Sequence, residues 1–224
     1  MENLPGTKTR TANTYYWGIF NGKFSRKAKE GDEGAHQRTN KKNTIVWEFY
    51  VDTLEGKLVD MHITDSDYGQ QLNVEITPQQ GFKYIINIPV ASRYFSTLLE
   101  RLPDLRAGEV VELTPYSFES EGRKQTGITV KKNNVKLPSA YKVKDADGKN
   151  KYLLDYPPFP ENWGELKEMD KKIYFLKTED FLMESLKKWR LENDNKSNFV
   201  TESDDDTLKV PQSNNNPDDS GLPF

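Results

Sequence analysis

Few side chains in this sequence have the chemistry needed for catalysis or metal binding. The chain has no cysteine and only two histidines, His36 and His62, neither of which has a neighbour at the spacing of a zinc site. The segment 65–67 (Asp-Ser-Asp) could hold Mg²⁺ as the paired carboxylates of nucleases do, but it equally describes an Asx-rich turn, which we favour. A glycine-rich phosphate loop is absent from the sequence. We therefore predict a protein that is not an enzyme and needs no metal or cofactor.

Aromatic and basic side chains, in contrast, are abundant and close together in the sequence. Aromatic residues make up 12% of the chain, more than the core of a small barrel needs. Exposed rings can stack on nucleobases while lysine and arginine follow the phosphates, and together they bind a single strand without reading its sequence. The predicted contact residues are Tyr15, Tyr16, Trp17, Phe20, Lys23, Arg26, Lys27, Lys41, Lys42, Trp47, Tyr50, Tyr116, Phe118, Arg123, Lys124, Lys131 and Lys132.

Some of these residues have a plain structural alternative. Tyr50 points to the opposite side of its strand from Trp47 and Phe49, so one of the two faces must present an aromatic ring outward. For Trp47 and Phe49 we favour a place in the core over base stacking. The lysine and arginine pairs between residues 123 and 132 are also typical of a solvated hairpin. The sequence thus predicts an aromatic and basic groove more firmly than it predicts each member.

Charge divides the chain into two parts. Its formal net charge of −3 is the sum of a body, residues 1–190, that carries +3 and an end, residues 191–224, that carries −6. A basic body is the electrostatic pattern of a nucleic-acid binder, although the pI of about 5.6 would argue against one. We expect the acidic end to compete with nucleic acid for the body at low salt.

Elements of β-structure must position the aromatic and basic residues. From residue 44 to about residue 137, apolar and polar residues alternate, as Leu72, Val74 and Ile76 do with their neighbours. This period of two predicts strands with one buried face. The predicted strands cover residues 45–51, 59–63, 71–76, 82–90, 109–118 and 125–130.

One short helix interrupts the strands. Tyr94, Leu98 and Leu102 recur at helical spacing, Ser92 is a suitable N-cap and Pro103 ends the pattern. Several strands, one helix and a final hairpin match the OB-fold, a five-stranded Greek-key barrel with its helix between the third and fourth strands. We therefore predict a mainly β chain with an OB-fold over residues 14–137.

The segments around this domain differ from it in composition. Residues 1–13 are polar and predict a flexible arm, and residues 29–40 lack apolar periodicity and predict a mobile loop. Residues 138–193 form an extension with a helix over about 178–192, which begins at Thr178 as its N-cap. Residues 194–224 are rich in Asn, Asp and Ser and predict a disordered acidic tail.

The last residues of the tail break its polar composition. A disordered acidic segment ends in an apolar tip whose final phenylalanine adjoins the free carboxylate. Such a tip can place its ring in an apolar pocket of a partner, while its carboxylates meet a basic rim. The linker before it gives reach and a high effective concentration. The predicted partner-binding residues are Asp218, Asp219, Leu222, Pro223 and Phe224.

This tip resembles a known family. Single-stranded DNA-binding proteins of the bacterial and phage SSB type end in aspartates followed by a small or aliphatic residue, Pro and Phe, and residues 218–224 read DDSGLPF. The resemblance implies an OB-fold and a tail that binds replication, recombination and repair proteins. Ser-Gly replaces the usual further acidic residue, and the extension over residues 138–193 departs from bacterial members. A diverged bacteriophage member is the interpretation that we prefer.

Three hypotheses about function follow from these features. The first is a sequence-independent binder of single-stranded DNA with a recruiting tail, and RNA is an open variant of it. The second is an interaction adaptor of the replication machinery with little DNA affinity, and the third, weaker one is a metal-dependent nuclease. Residues 1–6 do not form a signal peptide, and no apolar run reaches the roughly 20 residues that span a bilayer. We expect a cytoplasmic protein that does not bind membranes, with its oligomeric state open.

Overall fold

The computed structural model describes residues 14–40, 43–67, 69–78, 82–120 and 122–200, without the side chains of residues 195–200. This part of the chain is mainly β, as the sequence predicts, with two α-helices. The strands are β1 (Thr14–Phe20), β2 (Lys23–Ala28), β3 (His36–Thr39), β4 (Ile45–Val51), β5 (Leu54–Thr64), β6 (Gln71–Thr77), β7 (Lys83–Pro89), β8 (Val110–Ser120), β9 (Arg123–Lys132), β10 (Val135–Lys136), β11 (Lys142–Lys144) and β12 (Asn150–Tyr152). The helices are α1 (Arg93–Leu99) and α2 (Glu168–Val200), with a short 3-10 helix at Leu102–Asp104. Neither α-helix is both long enough and apolar enough, within the described residues, to cross a bilayer.

Ten of these strands form one continuous sheet. Their spatial order is β10-β9-β8-β5-β6-β7-β1-β2-β4-β3, and β11 pairs with β12 separately. Every neighbouring pair is antiparallel except β1 and β7, which are parallel. Each predicted strand is present, and α1 lies between β7 and β8 in the chain. Hydrogen bonding places β5 between β6 and β8.

Within the part of the chain that the structure describes, the five strands β5 to β9 do not close into a simple barrel, because the two outer strands of this group, β7 and β9, do not pair with each other. No pairing among the described residues joins β7 to β9, and β7 pairs instead with β1. Helix α1 lies at the free edge of β9, where the Thr97 hydroxyl accepts the Ile128 N–H at 2.9 Å. That side-chain hydrogen bond satisfies a backbone donor which a neighbouring strand would otherwise pair.

The core follows from the alternation in the strands. Leu72, Val74 and Ile76 of β6 and Ile86 and Ile88 of β7 are almost fully buried, while their sequence neighbours are not. Each such side chain contributes about 1.5–3 kcal/mol when it leaves water. Successive strand residues point to opposite faces of the sheet, so the alternating apolar residues all lie on one face, and that face forms the core.

Helix α1 matches its prediction. Ser92 is the N-cap, and its hydroxyl accepts the Phe95 N–H at 3.3 Å. Phe95, Leu98 and Leu99 are buried against the sheet. The 3-10 helix that contains Pro103 follows directly and buries Leu102.

Helix α2 differs from its prediction at both ends. It begins at Glu168, ten residues earlier than expected, and continues to Val200, into the segment predicted as tail. Thr178 is therefore not an N-cap: it lies inside the helix, and its hydroxyl donates to the Tyr174 carbonyl at 3.0 Å. A threonine can satisfy its hydroxyl on the preceding turn, so a cap-forming residue does not by itself mark a helix start. Residues 201–224 lie outside the described residues, as do residues 1–13.

Strand β3 corrects a second prediction. The segment 29–40 was expected to be a mobile loop, but His36–Thr39 pairs with β4 in antiparallel register. Backbone hydrogen bonds to a neighbouring strand stabilise this segment without the apolar alternation that usually signals a strand.

The extension after residue 138 packs against the same core. Leu182, Leu186 and Trp189 of α2 are buried in it. The Trp189 indole N–H donates to the Leu105 carbonyl at 2.7 Å, and the Asn193 side-chain carbonyl accepts the Ala107 N–H at 2.9 Å. These contacts fix the second half of α2 against the loop that precedes β8.

A further contact joins the extension to α1. The Glu100 carboxylate is buried at the end of this helix. It accepts hydrogen bonds from the Lys142 ammonium at 2.5 Å and from the Tyr156 hydroxyl at 3.1 Å. Burial, and next the charge of Glu100, raise the pKa of the Tyr156 hydroxyl, which therefore remains a hydrogen-bond donor.

We expect Gly22→Ala to destabilise the fold strongly. Asn21 and Gly22 turn β1 into β2 with φ of 49° and 77°, and a Cβ on Gly22 would lie 2.3 Å from the Ser117 nitrogen of β8. The left-handed conformation alone costs a non-glycine residue about 1–2 kcal/mol, and displacement of β8 adds to that cost. Urea unfolding measures the loss.

Gly31→Ala is the matched control for this prediction. Gly31 has a similar φ of 84°, but nothing lies within 4 Å of the position where its Cβ would be. Only the conformational cost applies there, so Gly31→Ala should destabilise less than Gly22→Ala. Equal losses for the two variants would show that the approach of the β1–β2 turn to β8 is not tight.

Candidate nucleic-acid interface

Strands β1, β2, β4 and β3 form a four-stranded part of the sheet whose register decides which residues share a face. Gly18 is opposite Ser25, Ser25 is opposite Tyr50, and Glu48 is opposite His36. Residues two apart on each strand lie on the same side, which extends this face along all four strands. We call it the aromatic face; its aromatic and basic members are Tyr16, Phe20, Lys23, Lys27, His36, Arg38 and Tyr50, and the Glu48 side chain lies among them.

Rings on the aromatic face lie in a row. The ring centroids of Phe20 and Tyr50 are 6.3 Å apart, and those of Tyr50 and His36 are 5.8 Å apart. Tyr16 is 61% exposed and Phe20 is 38% exposed. The Arg38 guanidinium lies over the Phe20 ring, 4.5 Å from its centroid. This arrangement leaves aromatic surface open to solvent beside cationic groups.

Glu48 holds the middle of the aromatic face in place. Its carboxylate accepts two hydrogen bonds from the Arg38 guanidinium, at 2.6 and 2.8 Å, and one from the Tyr50 hydroxyl at 2.7 Å. The hydrogen bond to Arg38, and next that to Tyr50, hold the pKa of the Glu48 carboxyl below its ordinary value despite burial. The bidentate pair orients both partners, and Arg38 offsets the negative charge that would repel a phosphate.

Stability in acid should depend on this carboxylate. Because the pKa of Glu48 is lowered in the folded state, its contribution is present above the ordinary value of 4.5 and is lost as pH falls through the lowered pKa. We expect Glu48→Gln to be less stable than wild type at neutral pH and to lose less stability on acidification. Urea unfolding over a pH series measures both, with the exposed Glu30→Gln as control. Parallel pH profiles for Glu48→Gln and wild type would contradict the prediction.

Several predicted contact residues lie on the opposite side of the same strands. Trp17 is 6% exposed and packs on Tyr84, so its ring belongs to the core and has no face open to a base, contrary to its prediction as a contact residue. The Arg26 guanidinium lies 4.5 Å from the centroid of Tyr15 and 4.9 Å from that of Phe49. Tyr15, Arg26 and Trp47 are all partly buried on this side. The contacts of Arg26 with the Tyr15 and Phe49 rings join β1, β2 and β4 to one another.

The β8–β9 hairpin carries the remaining predicted residues. Phe118 is 55% exposed, and Arg123 and Lys124 are exposed at the end of the hairpin. Tyr116 is partly buried, and its hydroxyl would be 2.5 Å from a Cβ on Gly127, so the ring covers this glycine of the neighbouring strand. The hairpin lies next to the aromatic face, because the turn at Gly22 approaches Tyr116 and Ser117 closely.

Two lysines on this hairpin contribute little free positive charge. Lys131 forms an ion pair with Glu112 at 2.7 Å, and Lys132 forms one with Glu109 at 3.2 Å and donates to the Asp104 carbonyl at 3.1 Å. A lysine whose charge is already matched attracts a phosphate less. These ion pairs partly offset the charge of Lys131 and Lys132, which stay predicted contact residues. Lys41, Lys42 and the partner-binding residues 218–224 lie outside the described residues.

Sequence reasoning missed two members of the aromatic face, His36 and Arg38. Both lie on β3, in the segment predicted as a loop. The signal was a polar alternation: His36 and Arg38 share one face, and Gln37 and Thr39 share the other. A rule that looks for alternating apolar residues does not detect such a strand.

The two candidates for metal chemistry have structural roles. His62 Nδ1 lies 2.9 Å from the Asp60 carboxylate on β5, and the Ser66 hydroxyl donates to the Gly69 carbonyl at 2.6 Å in the turn after β5. The described residues contain no group of three or more His, Asp and Glu placed to hold a metal ion. Residues 65–67 lie in the turn that joins β5 to β6, where the Ser66 and Gly69 backbones hydrogen-bond to each other.

Comparison of the chain with models of protein families, with curated proteins and with solved structures gives no match in any of the three. Function is therefore inferred from the geometry of the aromatic face, the charge of the chain and the residues of its tail.

Proposed function

We propose that the protein binds single-stranded DNA without regard to sequence and protects it during DNA replication, recombination and repair. The aromatic face is the observation that carries this proposal. A row of Phe20, Tyr50 and His36 rings, with the more exposed Tyr16 on the same face, gives bases a surface on which to stack. Stacking contributes about 1–3 kcal/mol per base and tolerates every base, since each has a π-face.

Cations on the aromatic face supply the second requirement, attraction of phosphates. Lys27 is exposed at one end of β2. Lys23, at the other end, forms an ion pair with Asp52 at 3.0 Å, and both side chains are more than half exposed. Exposed pairs of this kind are weak, so a phosphate can replace the aspartate. Binding should therefore weaken as salt is added.

We also propose that the protein is an elaborated OB-fold. The order of β5, β6, β7, α1, β8 and β9, with β5 between β6 and β8, supports this assignment. In this proposal the β1–β2 hairpin is an addition that extends the sheet beyond β7 and carries most of the binding surface. The N-terminal strands thus enlarge a small barrel face into a longer platform.

The tail completes the proposal. Its terminal residues Asp218, Asp219, Leu222, Pro223 and Phe224 recruit replication, recombination or repair proteins, and residues 201–217 act as the linker. The abrupt change from acidic and polar residues to Leu-Pro-Phe supports this role. The protein acts in the cytoplasm, which would be that of an infected host if the gene belongs to a bacteriophage.

Fluorescence anisotropy tests the central claim. Labelled oligo-dT is titrated with the full chain at two salt concentrations, with duplex DNA of equal length as competitor. Tight, salt-sensitive binding that duplex does not displace is the expected result. Absence of binding at both salt concentrations, also for a chain without its tail, would refute single-strand binding and favour the adaptor hypothesis.

Removal of residues 201–224 should tighten single-strand binding at low ionic strength. This segment has a net charge of −5 and competes with phosphates for the basic groups of the body. A chain that ends at Val200 keeps all of α2, including the Asn193 contact with Ala107. Anisotropy titrations of both chains at low and high salt measure the effect. Weaker or unchanged binding by the shortened chain at low salt would disprove the competition.

A further inference from the structure

A cleft of about 400 Å³ opens on the β8–β9 hairpin, against which the turn between β1 and β2 packs. Its wall includes the Tyr116 and Phe118 rings, the Gln125 amide, and the cationic side chains of Arg101 and Lys136. The cleft has the size of a small-molecule site and is large enough for one nucleotide. Of its cations, neither Arg101 nor Lys136 was predicted from the sequence as a contact residue.

Strand register builds the aromatic side of this cleft. Phe118 is opposite Gln125, and Tyr116 is opposite Gly127. The ring centroids of Tyr116 and Phe118 are 5.7 Å apart, too close for a base to enter between them. A base must therefore stack on the open face of Phe118, where the Gln125 amide is the nearest cross-strand group.

Arg101 supplies an unusual donor. Its guanidinium is anchored by a hydrogen bond from Nη1 to the Thr97 carbonyl, and Nη1 also lies 3.4 Å from the Glu100 carboxylate. Its Nε is buried and has no hydrogen-bond partner among the described residues. A buried donor without an acceptor is costly.

Charge distinguishes this cleft from others on the protein. Its wall has two cationic residues and no carboxylate. Four other clefts in the described part of the chain each include an aspartate or glutamate in their wall. Glu100 does not cancel the charge of Arg101, because the same carboxylate is also paired with Lys142 at 2.5 Å. The cleft is thus suited to an anionic ligand with a planar ring.

We propose that this cleft binds one nucleotide unit of the single strand, as a second anchor beyond the aromatic face. The base stacks on Phe118 with its edge towards the Gln125 amide, and a phosphate lies between Arg101 and Lys136. The turn at Gly22, two residues after Phe20 of the aromatic face, packs on Tyr116 and Ser117 of the hairpin that carries the cleft, and in this proposal one strand runs from the first surface to the second. This inference rests on the proposed function, since the nucleotide belongs to the same bound strand.

Affinity as a function of oligonucleotide length tests the second anchor. Labelled oligo-dT of about 5 and about 20 nucleotides is titrated with wild type and with the double variant Phe118→Ala/Lys136→Gln. A site size on the order of 4–16 nucleotides per OB-fold lets the short strand remain on the aromatic face alone. We expect the double variant to bind the long oligonucleotide about tenfold or more weakly, and the short one nearly as wild type does.

Two controls separate the cleft from general effects. Lys149→Gln removes the same charge from an exposed loop residue and should leave both affinities unchanged. Phe118→Trp, made as a single substitution, keeps a ring for stacking. It should therefore bind the long oligonucleotide almost as tightly as wild type does. Photocrosslinking of 5-iodouracil-substituted oligonucleotide, followed by mass spectrometry, should label residues 112–136 as well as the aromatic face.

Different failures have different meanings. If wild type binds the long oligonucleotide tightly and the double variant binds it equally well, with crosslinks confined to the aromatic face, the cleft is not a nucleotide site and the proposed function stands. If wild type binds neither oligonucleotide, the proposed function fails and the second anchor fails with it.

Discussion

A protein that carries Tyr16→Ala and Phe20→Ala is expected to bind single-stranded DNA at least about thirtyfold more weakly than wild type. Each ring contributes about 1–3 kcal/mol by stacking on a base, and every 1.4 kcal/mol is tenfold in affinity. Tyr16 is mostly exposed, so its removal costs little folding energy, whereas Phe20→Ala also loses the contacts of that ring with Tyr50 and Arg38. Anisotropy titrations with labelled oligo-dT measure the loss.

Two further variants make this result specific to the rings. Tyr16→Phe keeps a ring for stacking and should bind almost as wild type does. Leu191→Ala removes an apolar side chain of similar exposure, 65%, from α2 and should not change the affinity. Wild-type affinity in a correctly folded double alanine variant would show that the aromatic face does not bind the strand.

The second large effect is expected at Trp189. Its ring is buried where α2 meets the core, and its N–H donates to the Leu105 carbonyl at 2.7 Å. Truncation of a buried tryptophan to alanine costs about 3–5 kcal/mol. Trp189→Phe keeps much of the packing and loses one of the two hydrogen bonds to the Leu105 carbonyl, which still accepts from the Arg106 guanidinium at 2.7 Å, so its cost is about 0.5–1.5 kcal/mol. Urea unfolding followed by circular dichroism measures both losses.

Trp189 also tests how the extension folds. Because Leu182, Leu186 and Trp189 belong to the same core as the strands, we expect a single unfolding transition. Lys187→Ala removes an exposed ion pair with Glu184 from the same helix and should be nearly neutral. Two separate transitions in wild type, or an unchanged midpoint in Trp189→Ala, would mean that α2 is an independent appendage.

Local sequence patterns predicted much of the fold. The six predicted strands and α1 with its Ser92 cap are all present. Alternation with a period of two follows directly from a strand with one buried face, as in Leu72, Val74 and Ile76. Tyr50 was correctly placed on the opposite side from Trp47 and Phe49, because this depends only on its position along one strand.

Patterns that depend on distant partners were predicted less well. Strand β3 was missed because its strand conformation comes from pairing with β4 and not from apolar alternation. The beginning of α2 was missed because Thr178 resembles a cap in sequence, while in the helix its hydroxyl bonds to Tyr174. In both cases a local signal could not reveal which backbone groups would find partners elsewhere.

The sequence by itself determined the mainly β class, the faces of the single strands and the charge split between body and tail. All three depend on residue type and spacing along one segment. Only the tertiary structure decided which rings are free: Tyr16 is exposed while its neighbour Trp17 is buried, and Lys131 and Lys132 are matched by acids from β8 and the segment that precedes it. Exposure and ion pairing depend on which strands become neighbours, and that is set by the packing of the whole chain around one core.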